Sequence, residues 1–363
     1  MKFAAEFRDR EVVSRIAGNI DKVCRSDWTL MEFCGTHTVT IFRHGLKSLL
    51  PDRLRLVSGP GCPVCVTSAA DIDRILAVCD IPSGIVATYG DMIKVPGSRM
   101  NLAEKRARGA DVRVVYSSFD ALSLARSNPD RQVFFIGIGF ETTAPSTAAA
   151  VLQAADEGIL NFRVLSLHKL TPPVLETLLE DGTAVDGFIC PGHVCSIIGA
   201  RPLEPVARRW SKPCVVAGFE PGDVMLAILM LVKQLEAGES RVEIEYVRGV
   251  EYLGNRNALE IMRRVFEACD GEWRGIGTVK NTGLRLRSEF ARFDASALID
   301  KDIEALPDPP GCRCGDVLRG RISPHDCPLF KTKCTPESPV GPCMVSSEGS
   351  CATYYQYAGR TDG

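Results

Sequence analysis

The sequence predicts an α/β fold with parallel sheets, built as two units that face a shared cleft and followed by a loop-rich, cysteine-bearing third region. Three observations carry that expectation. Before Val250, short β-branched apolar runs alternate with helix-like stretches, the pattern of parallel-sheet α/β proteins. Each run ends in a polar or glycine-rich turn, the edge at which open α/β sheets bind ligands. Six of the 15 cysteines lie between Cys312 and Cys351, among many prolines and few apolar residues, so something other than burial has to order that region.

Taken in order, strands are expected over residues 30–33, 54–58, 85–88, 112–116, 133–138, 164–167, 188–190 and 215–217. Helices are expected over 68–79, 120–127, 143–157 and 172–181. The turns after the strands read Cys34-Gly-Thr-His37, Gly59-Pro-Gly-Cys62-Pro-Val-Cys65, Tyr89-Gly-Asp91, Gly139-Phe-Glu141-Thr-Thr143, His168-Lys169, Pro191-Gly-His193 and Gly218-Phe-Glu220-Pro. The segment Ser127-Asn-Pro-Asp-Arg131 reads as a hinge, and a polar stretch at 237–240 closes the second unit. The expected division is therefore two Rossmann-like α/β domains over 1–128 and 129–245, then a C-terminal domain over 246–363 whose cysteine-rich part begins at Ala305.

Composition narrows the function. A net charge of −2 and a pI of about 6.3 give no electrostatic case for nucleic acid or an anionic membrane. The longest apolar run, from Val224 to Val232, is well short of the roughly 18 residues a membrane span needs. The first 20 residues are charged throughout and hold no apolar core of a secretory signal. The expected compartment is the cytoplasm, where thiols stay reduced unless a metal or a catalytic cycle claims them.

Cys34 is expected in a turn just before a helix, where free N–H groups and the helix dipole favour a thiolate. His37 lies about one helical turn on, placed to pair with that sulfur or share a metal with it. The alternative is a small buried residue beside a helix-capping Thr36 or Thr38. Cys62-Pro-Val-Cys65 has the spacing of thiol–disulfide exchange motifs and equally of half a zinc site. Gly137-Ile-Gly-Phe-Glu-Thr142 matches a dinucleotide fingerprint only in part, so Glu141 reads as a cleft carboxylate or as a helix cap. His168 and His193 are open to being ligands or hydrogen-bonded core residues. Cys24, Cys79, Cys214 and Cys269 have no partner at ligand spacing and read as small buried hydrophobes.

The C-terminal group is the strongest chemical signal. A [4Fe–4S] cluster takes four cysteine thiolates, and six cysteines leave two beyond those four. The expected ligands are Cys327, Cys334, Cys343 and Cys351, with Cys312 and Cys314 as a neighbouring redox pair or additional contributors. A zinc-stapled tail is the alternative.

These motifs, with the tail Cys334-Thr-Pro…Pro339-Val-Gly-Pro-Cys-Met-Val-Ser-Ser-Glu-Gly-Ser-Cys351, resemble the HypD family of [NiFe] hydrogenase maturation proteins over essentially the whole chain. The resemblance implies a redox-active scaffold, rather than a stand-alone enzyme, on which an iron unit carrying CN and CO is assembled with the small chaperone HypC. HypE would deliver cyanide, and the hydrogenase large subunit would receive the finished Fe(CN)2CO unit. It further implies that Cys34 holds the iron with His37 beside it. Cys62 and Cys65 would form a redox couple, and the C-terminal [4Fe–4S] cluster would relay electrons in an arrangement similar to ferredoxin–thioredoxin reductase. Asp91, Glu141 and His193 are expected to line the cleft and hydrogen-bond the cyanide nitrogens. A partner-independent [4Fe–4S] thiol–disulfide reductase is the alternative function.

Overall fold

The computed structural model describes residues 6–299, 303, 306 and 308–358; the expected start of the cysteine-rich region at Ala305 lies outside them. The strands are β1 (Trp28–Glu32), β2 (Leu54–Ser58), β3 (Ile85–Thr88), β4 (Val112–Val114), β5 (Val133–Gly137) and β6 (Phe162–Ser166). They continue as β7 (Gly187–Pro191), β8 (Cys214–Ala217), β9 (Val242–Ile244), β10 (Phe266–Trp273) and β11 (Gly277–Leu286). Two parallel sheets result, one in the order β2-β1-β7-β8-β9 and one in the order β4-β3-β5-β6, with β10 and β11 as a separate antiparallel hairpin. The central strands β5 and β7 are buried along their whole length, as expected where helices cover both faces of a parallel sheet.

The strands are partitioned differently from the expected split at residue 128. The chain leaves the first sheet after β2, builds all four strands of the second, and returns at β7. The expected hinge at 127–131 instead joins a helix to β5, which pairs directly with β3. Parallel neighbours are joined by long crossovers, so adjacency in sequence does not settle adjacency in a sheet.

Each sheet contains a switch point, where successive connections run to opposite sides. In the first sheet it lies between β1 and β7, paired through Leu30 with Gly187 and Glu32 with Ile189. In the second it lies between β3 and β5. Ligands bind open α/β sheets in the crevice outside the strand carboxyl ends at such points.

The segment 250–299 packs largely on the second sheet. Met262, Phe266, Leu284 and Phe293 share a core with Ile85, Phe135 and Val164. The hairpin turn reaches the other way: Trp273 bridges to Thr67, and Arg274 donates its N–H to the Val66 carbonyl at 2.8 Å. Its tip, Gly275 at φ +74°, lies so close to Gly315 that a Cβ there would overlap the Gly315 backbone. The cysteine-rich region thereby becomes part of the main core, with Cys314, Leu318, Phe330, Cys343 and Tyr354 packed alongside Met31, Phe33 and Val57.

His168 is a satisfied core histidine, its ring nitrogens 3.3 Å from Thr147 Oγ1 and 3.0 Å from Ser166 Oγ. Burial, aided by Lys169, pushes its pKa down from 6.5 to about 3. A histidine whose folded pKa lies below its unfolded one contributes stability that is complete above about 6.5 and lost as pH falls toward the folded value. Between pH 6.5 and 4.5 the expected loss from this group is about 2 kcal/mol. Thermal unfolding followed across that window should show a shallower acid limb for His168→Asn than for the parent.

Candidate metal and thiol centre

Four of the seven predicted turns lie at the carboxyl edge of the first sheet, and its switch point brings them together. Cys34 follows β1 and sits at the N-cap of the helix Gly35–Arg43. Cys62 follows β2 at the N-cap of the short helix Pro63–Val66. His193 follows β7, and Phe219 follows β8. The ring of Phe219 is sandwiched between two histidines, with centroids 4.9 Å from His37 and 3.8 Å from His193.

The loop Gly59-Pro-Gly61 lies directly against Cys34. Gly59 N–H donates to the Glu32 carbonyl at 2.8 Å, and Gly35 N–H donates to the Gly61 carbonyl at 3.2 Å. A Cβ on Gly61 would overlap the Cys34 nitrogen and the Phe33 carbonyl carbon, so only glycine admits this approach. On the opposite side the tail closes in. Thr36 Oγ1 donates to Glu348 Oε1 at 2.8 Å, and Ser346 Oγ donates to Asp91 Oδ2 at 3.1 Å. Asp91 thus links the second sheet's edge to the site through the tail.

The electrostatics of Cys34 differ from those expected of a helix N-terminus. The N–H groups of Thr36 and His37 do favour the thiolate, but burial together with the carboxylates of Glu348 and Glu32 pushes its pKa to about 12. Desolvation outweighs the helix end here, so the metal-free site holds a thiol, and a bound metal would displace its proton. Glu32 is itself pushed up to about 8 by burial while accepting the Cys34 N–H at 3.0 Å and the Thr38 hydroxyl. His37 contacts the Gly218 carbonyl through Nε2 at 2.9 Å, and burial brings its pKa down to about 4. With Nε2–H donating to that carbonyl, Nδ1 carries a lone pair, and it has no partner among the described residues.

The other thiols form a continuous path. All 15 cysteines are free. The thiol of Cys65 contacts those of Cys62 and Cys343. Cys343 in turn contacts Cys314 and Cys351, and Cys314 contacts Cys312. Cys312, Cys314, Cys327, Cys334 and Cys351 line one cavity. Val340 N–H donates to Cys334 Sγ at 3.3 Å, the kind of bond that tunes a cluster-ligating sulfur. Five thiols lining one cavity, one of them accepting a backbone N–H, have the donor chemistry that a [4Fe–4S] cluster takes. Of the expected ligands, Cys327, Cys334 and Cys351 line this cavity with Cys312 and Cys314, while Cys343 lies against Cys65, Cys314 and Cys351.

One predicted residue goes elsewhere. Glu141 is buried and accepts both the N–H and the hydroxyl of Thr171 at 2.8 Å, which is the helix-cap reading. It also lines a groove beside the helix Thr171–Glu180, with burial raising its pKa to about 7. Cys214 and Cys190 prove to be in contact within the first sheet. Sequence reasoning missed Glu348 as a site residue. Its signal was an acid set between serine and glycine three residues before Cys351.

Fold and site together define a thiol-rich α/β scaffold protein with a single-thiol site at a switch point and a cysteine-lined cavity behind it. The family model described as HypD, hydrogenase formation hypA family, matches residues 10–358, and the chain belongs to that family of hydrogenase maturation factors. It is 48% identical over 368 residues to the hydrogenase maturation factor HypD of Cupriavidus necator, covering 98% of this chain and 97% of that one. The HypD of Azotobacter vinelandii is 45% identical over 369 residues, with 98% and 97% covered. A putative hydrogenase expression/formation protein of Methanocaldococcus jannaschii is 44% identical over 347 residues, with 95% of each chain covered. No helix among the described residues is long and apolar enough to cross a membrane.

Proposed function

We propose that this chain is the redox-active scaffold on which, together with HypC and in the cytoplasm, the Fe(CN)2CO unit of a [NiFe] hydrogenase is assembled before transfer to the large subunit. HypE supplies the cyanide. The observation that carries this reading is the unbroken line of thiols from Cys62 and Cys65, beside the Cys34 loop, to the five-cysteine cavity.

Cys34 holds the iron being assembled, as a thiolate ligand suited to a soft low-spin metal. The Nδ1 lone pair of His37 is the nearest-sequence nitrogen donor able to join it, and the Phe219 sandwich fixes the ring. Glu32, kept neutral by burial, and the Gly61 carbonyl hold the Cys34 backbone in place. Cys62 and Cys65 release two electrons and two protons when they close to a disulfide. Cys343, beside Cys65, would open that disulfide by exchange, forming a mixed disulfide and freeing one thiol, and two single electrons from the cluster with two protons from solvent would then restore the remaining thiols. A [4Fe–4S] cluster held by Cys327 and Cys334 with further cavity thiols supplies single electrons when bound. His193, exposed on the rim and stacked on Phe219, and Asp91 are the groups available to hydrogen-bond cyanide nitrogens.

The test is iron and acid-labile sulfide per chain on anaerobically purified protein, followed by infrared spectra after co-expression with HypC and HypE. The parent should hold about four iron and four sulfide and show iron-bound CN and CO bands. Cys334→Ser should lose most of the sulfide, and Cys65→Ser should keep the sulfide but lose the bands. Retention of the bands in Cys65→Ser, or reduction of free disulfide substrates without any partner, would favour the stand-alone reductase instead.

A further inference from the structure

A groove of about 1100 Å³ runs between the helix Thr171–Glu180, the helix Arg256–Val265 and the β10–β11 hairpin. It lies at the far end of the helix Gly192–Ile198 from His193, since Ile198 lines it. Its floor is apolar, with Leu259 and Met262 contributed by the helix Arg256–Val265. That helix buries only Met262 and Val265 of its ten residues, so most of its surface is available to a partner. Leu253 stands on the rim, 47% exposed.

The rim is arginine-rich. Arg201, Arg256, Arg263 and Arg264 all line the groove, and none forms an ion pair among those found between the described residues. Three carboxylates also face it. Glu267 is engaged by Arg285 and Arg287, and Glu141 by Thr171. Glu260 remains, so four cations without acidic partners stand against one such anion, in a chain whose net charge is −2. An apolar trough edged by uncompensated guanidinium groups is complementary to a segment with one apolar and one carboxylate-bearing face.

We infer that this groove is a docking site for an acidic amphipathic helix of a partner protein. Leucine-type side chains occupy the floor between Leu259 and Met262, and glutamates or aspartates pair with the rim arginines. The helix Gly192–Ile198, seven residues long, spans about 10 Å, so a partner anchored here is within a short linker of the Cys34 site. The inference rests on shape and charge alone and stands whether or not iron is assembled at Cys34.

The probe is a fluorescein-labelled 18-residue peptide with leucines on one helical face and glutamates on the other. Its lysine-for-glutamate analogue and a single-stranded oligonucleotide serve as competitors, and binding is read by anisotropy on the full-length protein. The glutamate peptide should bind about tenfold tighter than the lysine analogue or more, and weaken as salt rises. The double variant Arg263→Glu, Arg264→Glu should lose at least about tenfold of that affinity while retaining the parent's melting temperature and sulfide content. Equal affinity for both peptides, an unaltered affinity in the double variant, or tighter binding of the oligonucleotide would overturn the assignment.

Discussion

Cys34→Ala is expected to fold as the parent does, keep its full sulfide content and support no hydrogenase maturation. The fold should tolerate the change because Cys34 caps its helix without a side-chain hydrogen bond, so alanine removes no cap interaction. The side chain is only partly buried, which also limits the cavity left behind. Function should not survive, because Cys34 is the partly exposed thiol that follows β1 at the first sheet's switch point. Cys62 and Cys65 belong to the path toward the cavity, and Cys195, in the helix after β7, is buried. The measurement is hydrogenase activity in a strain lacking the chromosomal copy, alongside a melting curve and sulfide content of the purified variant. Activity near the parent's level would remove Cys34 from the iron site. A collapsed melting temperature would recast it as a packing residue.

Gly61→Ala should be the most damaging single methyl addition near the site. The new Cβ would sit 2.5 Å from Cys34 Cα and overlap two further backbone atoms. Neither strand end can retreat, since Gly35 and Gly59 tie the loop to β1 and its following helix through backbone bonds. A loss of about 3 kcal/mol or more is expected, seen as a lowered denaturant midpoint and accompanied by loss of maturation even where the fold survives. Gly18→Ala is the control. Nothing lies within 4 Å of a Cβ there, and inside the helix Arg10–Val23 alanine should be neutral or stabilising by up to about 1 kcal/mol. Equal midpoints for the two variants would mean that the Gly61 contact is softer than the structure indicates.

Much of the two parallel sheets was legible in the sequence, because strands such as β3, β5, β7 and β8 are buried along their length and read as short apolar runs. Residues 54–58 and 85–88 were placed to the residue. The hairpin was not. Phe266–Trp273 interleaves Glu267, Asp270, Gly271 and Glu272 with its apolar residues, and a bulge after Cys269 breaks its alternation. Strand β9 has three residues, one of them glutamate, and none fully buried. The expected thiolate at Cys34 failed for a different reason. A helix N-terminus is visible in sequence, but the burial that opposes it, and the Glu348 carboxylate over 300 residues away, are supplied only by the fold.

By itself the sequence determined the chemistry on offer: cysteines at strand ends, a two-thiol motif with exchange spacing, and a six-cysteine tail too poor in apolar residues to fold on its own. It also determined which residues precede each turn, because burial pattern and glycine placement are local. Only the tertiary structure decided which turns meet. Strand order put the Cys34, Cys62, His193 and Phe219 turns at one sheet edge and placed Glu141 on the other sheet, where it caps the helix Thr171–Glu180. The same packing laid Cys343 between Cys65 and the cavity. Such adjacency depends on how long crossovers pair strands and how the tail packs across them, interactions between residues hundreds of positions apart that no local pattern encodes.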